Sequence, residues 1–432
     1  MLEKLKDFGP AIALGAILLV FVVAKFVILP ARQAEPPQAT APPAEVPPAP
    51  SPTPAPSSPP PAATPAAAAP AVTEVPSAAS WSTFHGEADL VGHVATPVPD
   101  APAPLWQFLA SGRAQTPVGD GQSIYVASGK GTVHALDFAG KERWSRQLNR
   151  KAADGSEAPE RVEAPPAVFA GTLYVGSTTG NLYALDAASG EVRWTYDVSG
   201  SILGSVGFDA ASGKVLVLQR EDGIMHCLDS ATGTNVWKTD PIARCDGSPS
   251  VHGGVVVWGA CDSIVHLHAV ADGQRRALVE LGGDCQVASG PARVGDDIFV
   301  GSRCGRFLRI DARTGNVLWS NNDSKKEVFT TPTLAGGMVF FATDGDELYA
   351  LETATGAAKW RREFSGLPTS PVAVGERLLV SVAGALHLLN RDTGETVWSV
   401  EVSDEISSPA LIGGMIVVAS DDGNIHAFGA KP

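Results

Sequence analysis

The chain has 432 residues and a net charge of −14, and it contains 45 Gly and 34 Pro but only 18% charged residues. This composition is typical of a turn-rich β protein joined to a low-complexity segment. The acidic balance excludes the basic surface of nucleic-acid-binding proteins, so nucleic acid is not an expected partner.

The N-terminus carries an apolar run that predicts a membrane helix. Residues Ala11 to Leu29 are apolar except for Lys25, and nineteen helical residues span about 28 Å, close to the hydrocarbon thickness of a bilayer. A cleaved signal peptide is the alternative, but no small-x-small cleavage site follows Leu29. We therefore expect a cytoplasmic stub over 1–10 and a single-pass anchor over 11–30. The anchor predicts residence in the cell inner membrane, with the remainder on the periplasmic, extracytoplasmic side.

Residues 31–80 form a Pro/Ala-rich tract, which includes PPAEVPPAPSPTPAPSSPPPAATP. Such a composition cannot bury a core and favours extended, disordered chain. The tract is interpreted as a linker between the anchor and the folded part.

From residue 81 to 430 the sequence repeats. One copy reads LYVGSTTGNLYALDAASGEVRW and ends at Trp194, and later copies end at Trp319, Trp360 and Trp398. The last three Trp residues lie 41 and 38 residues apart, which is the spacing of a four-stranded β-propeller blade. The repeat therefore predicts an all-β propeller.

The number of blades follows from the third strand of each copy. These strands end at eight positions: Asp137, Asp186, Asp229, Ala269, Asp311, Glu352, Asn390 and Gly429. The last copy lacks its outer strand, whereas Pro104-Leu105-Trp106 stands alone before the first copy. Pairing the two would close an eight-bladed ring and remove an exposed sheet edge.

The repeated pattern V-x-V-G-S-x-x-G-x-L-Y-A-L-D-x-x-[ST]-G-x-x-x-W resembles the quinoprotein-type, or PQQ-like, β-propeller repeat. The lead-in Trp81–Gly86 is similar to the start of such domains. The resemblance implies the fold, but the repeat serves both alcohol dehydrogenases and non-catalytic proteins. In length and blade number the chain is similar to the BamB-like lipoproteins of the outer-membrane assembly machinery, from which it departs by its predicted anchor and linker.

Cofactor chemistry is not expected. The resemblance implies a vicinal cysteine pair beside the quinone in the enzymes, and this chain has no adjacent cysteines. The acidic pairs Asp344/Asp346 and Asp421/Asp422 fall in predicted turns, where Asp is favoured for local reasons. We therefore expect neither PQQ nor Ca²⁺.

The remaining candidate residues are structural. In an oxidising compartment four cysteines could form two disulfides with three connectivities, and Cys227 is expected to be a buried thiol. The blade-ending Trp residues are expected to pack between blades, and His134, His226, His266, His387 and His426 to pack beside them rather than bind metal. The four cysteines are Cys245, Cys261, Cys285 and Cys304; the Trp residues are Trp106, Trp144, Trp194, Trp237, Trp319, Trp360 and Trp398.

Two features are candidate recognition surfaces, namely the insertion from Arg150 to Glu163 and the mouth of the channel. The sequence favours a non-catalytic, membrane-anchored scaffold that binds an unidentified envelope protein. A quinoprotein-type redox enzyme is the alternative from another class. A ligand-sensing ectodomain is a third, although the cytoplasmic stub is too short to signal alone.

Overall fold

Each repeat folds into one antiparallel sheet of four strands, as the alternation of apolar runs and Gly-containing turns predicts. The computed structural model describes residues 80–152 and 154–431, and these form an eight-bladed, all-β propeller. The predicted fold is confirmed for this part of the chain. The predicted anchor and the tract over 31–79 lie outside the described residues, and Ser80, predicted to end the linker, already belongs to a strand.

Three strands precede the repeats: β1 (Ser80–Trp81), β2 (His93–Val94) and β3 (Ala103–Leu109). Blade 1 comprises β4 (Val118–Asp120), β5 (Ile124–Ala127), β6 (Thr132–Leu136) and β7 (Glu142–Gln147). A hairpin of β8 (Asn149–Lys151) and β9 (Glu157–Pro159) follows. Blade 2 comprises β10 (Ala167–Phe169), β11 (Thr172–Gly176), β12 (Asn181–Asp186) and β13 (Val192–Asp197). Blade 3 comprises β14 (Gly207–Asp209), β15 (Lys214–Leu218), β16 (Met225–Asp229) and β17 (Asn235–Lys238).

Blade 4 comprises β18 (Ser250–His252), β19 (Val255–Gly259), β20 (Ile264–Ala269) and β21 (Arg275–Glu280). Blade 5 comprises β22 (Ala292–Val294), β23 (Asp297–Gly301), β24 (Phe307–Asp311) and β25 (Val317–Asn321). Blade 6 comprises β26 (Thr333–Ala335), β27 (Met338–Ala342), β28 (Glu347–Glu352) and β29 (Ala358–Glu363). Blade 7 comprises β30 (Val372–Val374), β31 (Arg377–Val382), β32 (Ala385–Asn390) and β33 (Thr396–Glu401). Blade 8 contains β34 (Ala410–Ile412), β35 (Met415–Ala419) and β36 (Asn424–Gly429), with β3 as its outer strand.

The core lies between the blades. Strands such as β11 are buried along their whole length, because both faces of the sheet contact a neighbouring blade. Outer strands such as β13 alternate between exposed and half-buried residues, since one face meets water. A single blade could not bury both of its faces, so the sheets are stable only as a ring.

The two ends of the chain close this ring as predicted. Strand β3 pairs antiparallel with β36, from Ala103 opposite Gly429 to Phe108 opposite Ile425. Blade 8 is therefore completed by the beginning of the domain.

Strand direction divides the connections between two faces of the propeller. Turns between first and second strands, and between third and fourth strands, lie on one face, which we call the turn face. Turns between second and third strands, and the connections from one blade to the next, lie on the other, which we call the loop face. The insertion over 150–163 therefore belongs to the loop face.

Candidate functional site

The blade-ending Trp residues each contact the next blade. The indole of Trp194 donates a hydrogen bond to the carbonyl of Ser230 at 3.1 Å, and its ring covers Gly233 so closely that an added Cβ would lie 2.6 Å from it. Six glycines are covered in this way: Gly140 by Trp106, Gly190 by Trp144, Gly233 by Trp194, Gly273 by Trp237, Gly356 by Trp319 and Gly394 by Trp360. Trp398 instead packs edge-on against Phe428 at 6.0 Å. These residues hold neighbouring blades together.

Three third-strand histidines, His134, His226 and His387, lie against aromatic rings of the preceding blade, whereas His266 stacks on Trp258 of its own blade. His134 packs edge-on against Phe108, and His226 against Tyr196, with ring centroids 5.3 and 5.6 Å apart. Within residues 80–152 and 154–431, no group of three or more His, Cys, Asp or Glu side chains is arranged to hold a metal ion.

The structure shows two of the candidate cysteines in a disulfide and the other two as thiols. Cys285 and Cys304 form a disulfide between the connection into blade 5 and the second turn of that blade. Cys245 and Cys261 are thiols, so the expected second bond is not present in this structure. Cys245 instead fills a buried apolar position, and burial raises its pKa and that of Cys227.

The insertion over 150–163 forms the hairpin β8–β9 on the loop face. Its base is fixed by Glu160, which is fully buried and accepts hydrogen bonds from Asn181 at 2.7 Å and from the Tyr183 hydroxyl at 2.8 Å. These hydrogen bonds anchor the base of the hairpin to β12 of blade 2.

The channel is occupied by the chain itself. Residues 80–94, which we call the axial segment, enter beside the first strand of blade 1, where Ser80 lies opposite Asp120. They leave along the first strand of blade 7, where Val94 lies opposite Val374 in a parallel pair. Trp81 is buried in the apolar cluster that contains Ile412 of blade 8. The lead-in therefore fills the axis of the ring, which sequence reasoning missed because its partners lie in distant repeats.

Four of the ten exposed large apolar side chains in the described residues lie on the loop face, and five others lie on outer strands. Leu109, Leu367, Phe329 and Ile242 are 67%, 60%, 43% and 36% exposed, and each lies in or beside a connection between blades. In the sequence, Phe329 takes the place that Ala288 holds in blade 5, three residues before the proline of the inner strand. That contrast within the repeat was the available signal for this surface.

One charged pair lies beside Phe329, and Arg244 and Asp246 lie in the same connection between blades as Ile242. Arg303 lies 5.2 Å from the ring centre of Phe329 and bonds Glu327 at 2.9 Å. In blade 4, Asp246 accepts from Arg220 at 2.8 Å and from Arg244 at 2.9 Å. Burial would raise the pKa of Asp246, but these two hydrogen bonds outweigh it and hold the pKa below its ordinary value. An apolar surface with fixed charges beside it is suited to binding a protein.

A polar cleft of about 150 Å³ opens on the same face, at the junction of blades 8 and 1. Arg113 and Glu405 form a salt bridge of 3.0 Å beside it, and both side chains are exposed. Ser420 and Asp421 also line the cleft. It contains no apolar anchor and is the weaker candidate.

Comparison with known proteins supports the same architecture. Among curated relatives, the outer membrane protein assembly factor BamB of Yersinia pestis is 24% identical over 339 residues, which cover 72% of this chain and 84% of that protein. The crystal structure of BamB from Moraxella catarrhalis matches with a TM-score of 0.65 and 19% identity, covering 77% of this chain and 98% of that one.

An enzyme shares the fold as well. The quinohemoprotein alcohol dehydrogenase of Comamonas testosteroni matches with a TM-score of 0.67 and 14% identity, over 82% of this chain and 81% of that one. At this identity the likeness shows the fold alone.

The profile of the family described as outer membrane protein assembly factor BamB matches residues 92–164, 153–282, 261–373 and 362–431. These matches include the strands of all eight blades, from the first repeat to the last. The chain belongs to this family of PQQ-like repeat propellers.

Proposed function

We propose that this chain is a non-catalytic propeller that binds an envelope protein partner in the assembly of outer-membrane proteins. The observation that carries the proposal is the loop face, which presents Phe329 and Leu367 to solvent, with the Arg303–Glu327 pair beside Phe329. The related proteins named as outer membrane protein assembly factors support the choice of partner class. The proposal includes no quinone and no calcium, and a stoichiometric PQQ complex in calorimetry, with or without Ca²⁺, would contradict it.

The way the chain enters the ring supports the use of this face. Ser80 pairs with Asp120, at the end of β4 that leads into the turn face. Ser80 therefore lies at the turn-face end of the axis, opposite the loop face. With residues 11–30 as an inner-membrane anchor and 31–79 as a tether, the propeller would lie on the periplasmic side of the membrane with its loop face free to bind a partner. A mature N-terminus after Leu29 in the membrane fraction would contradict this arrangement.

Site-specific photo-crosslinking in intact cells tests the binding surface. A photoreactive residue at Phe329 or Leu367 should give a covalent adduct with an envelope protein that is identified by mass spectrometry. The matched controls are Phe138, which is 37% exposed on the turn face, and Leu318, which is 48% exposed on an outer strand. Phe329→Glu should also lower the amount of β-barrel protein in the outer membrane. Equal adducts from the controls, or an unchanged outer membrane with Phe329→Glu, would contradict the proposal.

A further inference from the structure

The channel presents a set of equivalent backbone donors toward the axis. In five blades the second residue of the innermost strand donates its N–H to a carbonyl oxygen of the axial segment. These bonds are Val168 to Ser82 at 2.7 Å, Val251 to Ala88 at 2.7 Å, Arg293 to Asp89 at 2.8 Å, Leu334 to Val91 at 3.2 Å and Ala373 to Gly92 at 2.9 Å. An inner strand is a sheet edge, and its buried N–H groups need acceptors. A peptide backbone along the axis supplies them.

Side chains add selectivity to this backbone recognition. The ring of His85 is buried, with Nδ1 2.9 Å from the carbonyl oxygen of Leu90 and Nε2 2.8 Å from that of Pro371 in blade 7. Gly92 packs against this ring, and an added Cβ would lie 2.2 Å from it. Thr83 bonds Ser205 of blade 3 at 2.7 Å. The channel thus fits a segment that turns at Phe84–His85 and at Ala88–Asp89 and carries a histidine and a glycine at fixed positions.

We propose that the axial channel is a peptide-binding site and that residues 80–94 are its ligand. The inner strands donate backbone N–H hydrogen bonds to carbonyl oxygens of the segment. A sheet edge binds a separate peptide through hydrogen bonds of the same kind. The connection that follows it begins with Ala95, Thr96 and Pro97, which are exposed. The segment should therefore remain bound when this connection is cut, and a second peptide of the same sequence should compete for the channel.

The experiment uses the full chain with a specific protease site inserted between Ala95 and Thr96. The insertion is acceptable if the uncut protein melts like the parent. After cleavage, the fragment that ends at residue 95 should co-elute with the propeller in gel filtration and separate only in denaturant. A fluorescent synthetic peptide of residues 80–94 should then replace it at one per propeller. The Gly92→Ala peptide should bind at least tenfold more weakly, and a scrambled peptide should not bind.

Each other outcome would overturn the proposal. If the fragments separate while the propeller keeps its melting temperature, the segment is held in the channel only by its covalent connection to the propeller. If the cleaved protein unfolds, the segment is part of the cooperative core and not a separable ligand. If the labelled peptide binds no better than the scrambled one, or Gly92→Ala binds equally well, the channel does not recognise this sequence.

Discussion

At the scale of single residues, six of the eight junctions between blades are formed by one Trp packed over one Gly. The Gly adopts a left-handed conformation in the turn, as at Gly233 with φ of 71°, and the missing Cβ leaves room for the indole of the preceding blade. Burying this ring and satisfying its N–H are both achieved by the same contact. Each Trp is therefore expected to contribute to the stability of the whole ring.

Trp194→Ala should lower the free energy of unfolding by about 2–4 kcal/mol, because a large, partly buried ring is lost and Gly233 is uncovered. Val192→Ala is the matched control on the same strand, since Val192 is 46% exposed. It should change the free energy by no more than about 0.5 kcal/mol. Urea unfolding measures both, and equal effects would show that the Trp–Gly contact does not hold the blades.

A buried histidine should make the propeller sensitive to acid. Burial lowers the pKa of His226 to about 4 from its ordinary value of 6.5. The unfolded chain therefore gains a proton as the pH falls through about 6.5, whereas the folded chain does so only near pH 4. Stability from this group is complete above pH 6.5 and is lost between 6.5 and 4, by at most about 3 kcal/mol.

His226→Tyr tests this dependence, because Tyr183 and Tyr349 occupy the same repeat position in other blades. Between pH 7.5 and 4.5 the variant should lose about 2 kcal/mol less unfolding free energy than the parent. Val192→Ala, at an exposed and non-titrating position of an outer strand, is the control and should follow the pH dependence of the parent. If His226→Tyr loses as much unfolding free energy as the parent over this pH range, groups other than His226 cause the acid sensitivity.

At the scale of elements, the junction of blades 4 and 5 differs from the others. Strand β21 carries Ala277 where other blades carry Trp, and its methyl group lies 3.0 Å from a Cβ added at Gly315. The disulfide Cys285–Cys304 lies in the connection that follows this strand. We interpret the disulfide as the stabilising element at a junction that lacks the indole.

Replacing both disulfide cysteines by Ala should cost about 3 kcal/mol, because the bond closes a loop with a sequence separation of 19. Adding Ala277→Trp to that variant should restore about 2 kcal/mol by covering Gly315. The single Ala277→Trp variant under oxidising conditions is the control and shows whether the Trp is accommodated. No recovery in the disulfide-free protein, measured by denaturant unfolding, would contradict the interpretation.

At the scale of the whole molecule, residues 80–109 join the ring twice. The axial segment contacts the inner strands from the axis, and β3 completes blade 8 at the rim. Both contacts involve repeats that are distant in sequence, so the ring closes only when the last blade has formed. Deleting 81–112 would remove both contacts together, so a point substitution separates them better.

Gly92→Ala in the full chain should loosen the axis and lower the melting temperature. Its effect has two parts, since Gly92 has a φ of 65° and an added Cβ would also overlap the His85 ring. Gly171→Ala is the matched control, with φ of 70° and no atom within 4 Å of the added Cβ. The control should lose about 1–2 kcal/mol from the backbone alone. If Gly92→Ala loses no more than this, the axial contact contributes nothing to the ring.

Much of the fold could be predicted from local features of the repeat. Apolar runs, turn glycines and terminal Trp residues are set within about 40 residues, so blade number and order follow from counting them. The partner of β3 also followed, because an orphan outer strand and an incomplete last blade leave one way to pair. The contacts of the histidines followed from their repeat position.

The rest depended on which distant residues meet across the ring. The path of Trp81–Val94 could not be predicted, because its bonds reach the inner strands of blades that lie up to 286 residues away in sequence, as between His85 and Pro371. The pairing of Cys285 with Cys304, which are 19 residues apart, and the position of Phe329 and Leu367 on one face depend on strand direction within the blades. The sequence by itself determined the blades, because their contacts are local and repeated. Only the tertiary structure decided what fills the axis, because those contacts join residues that no local pattern connects.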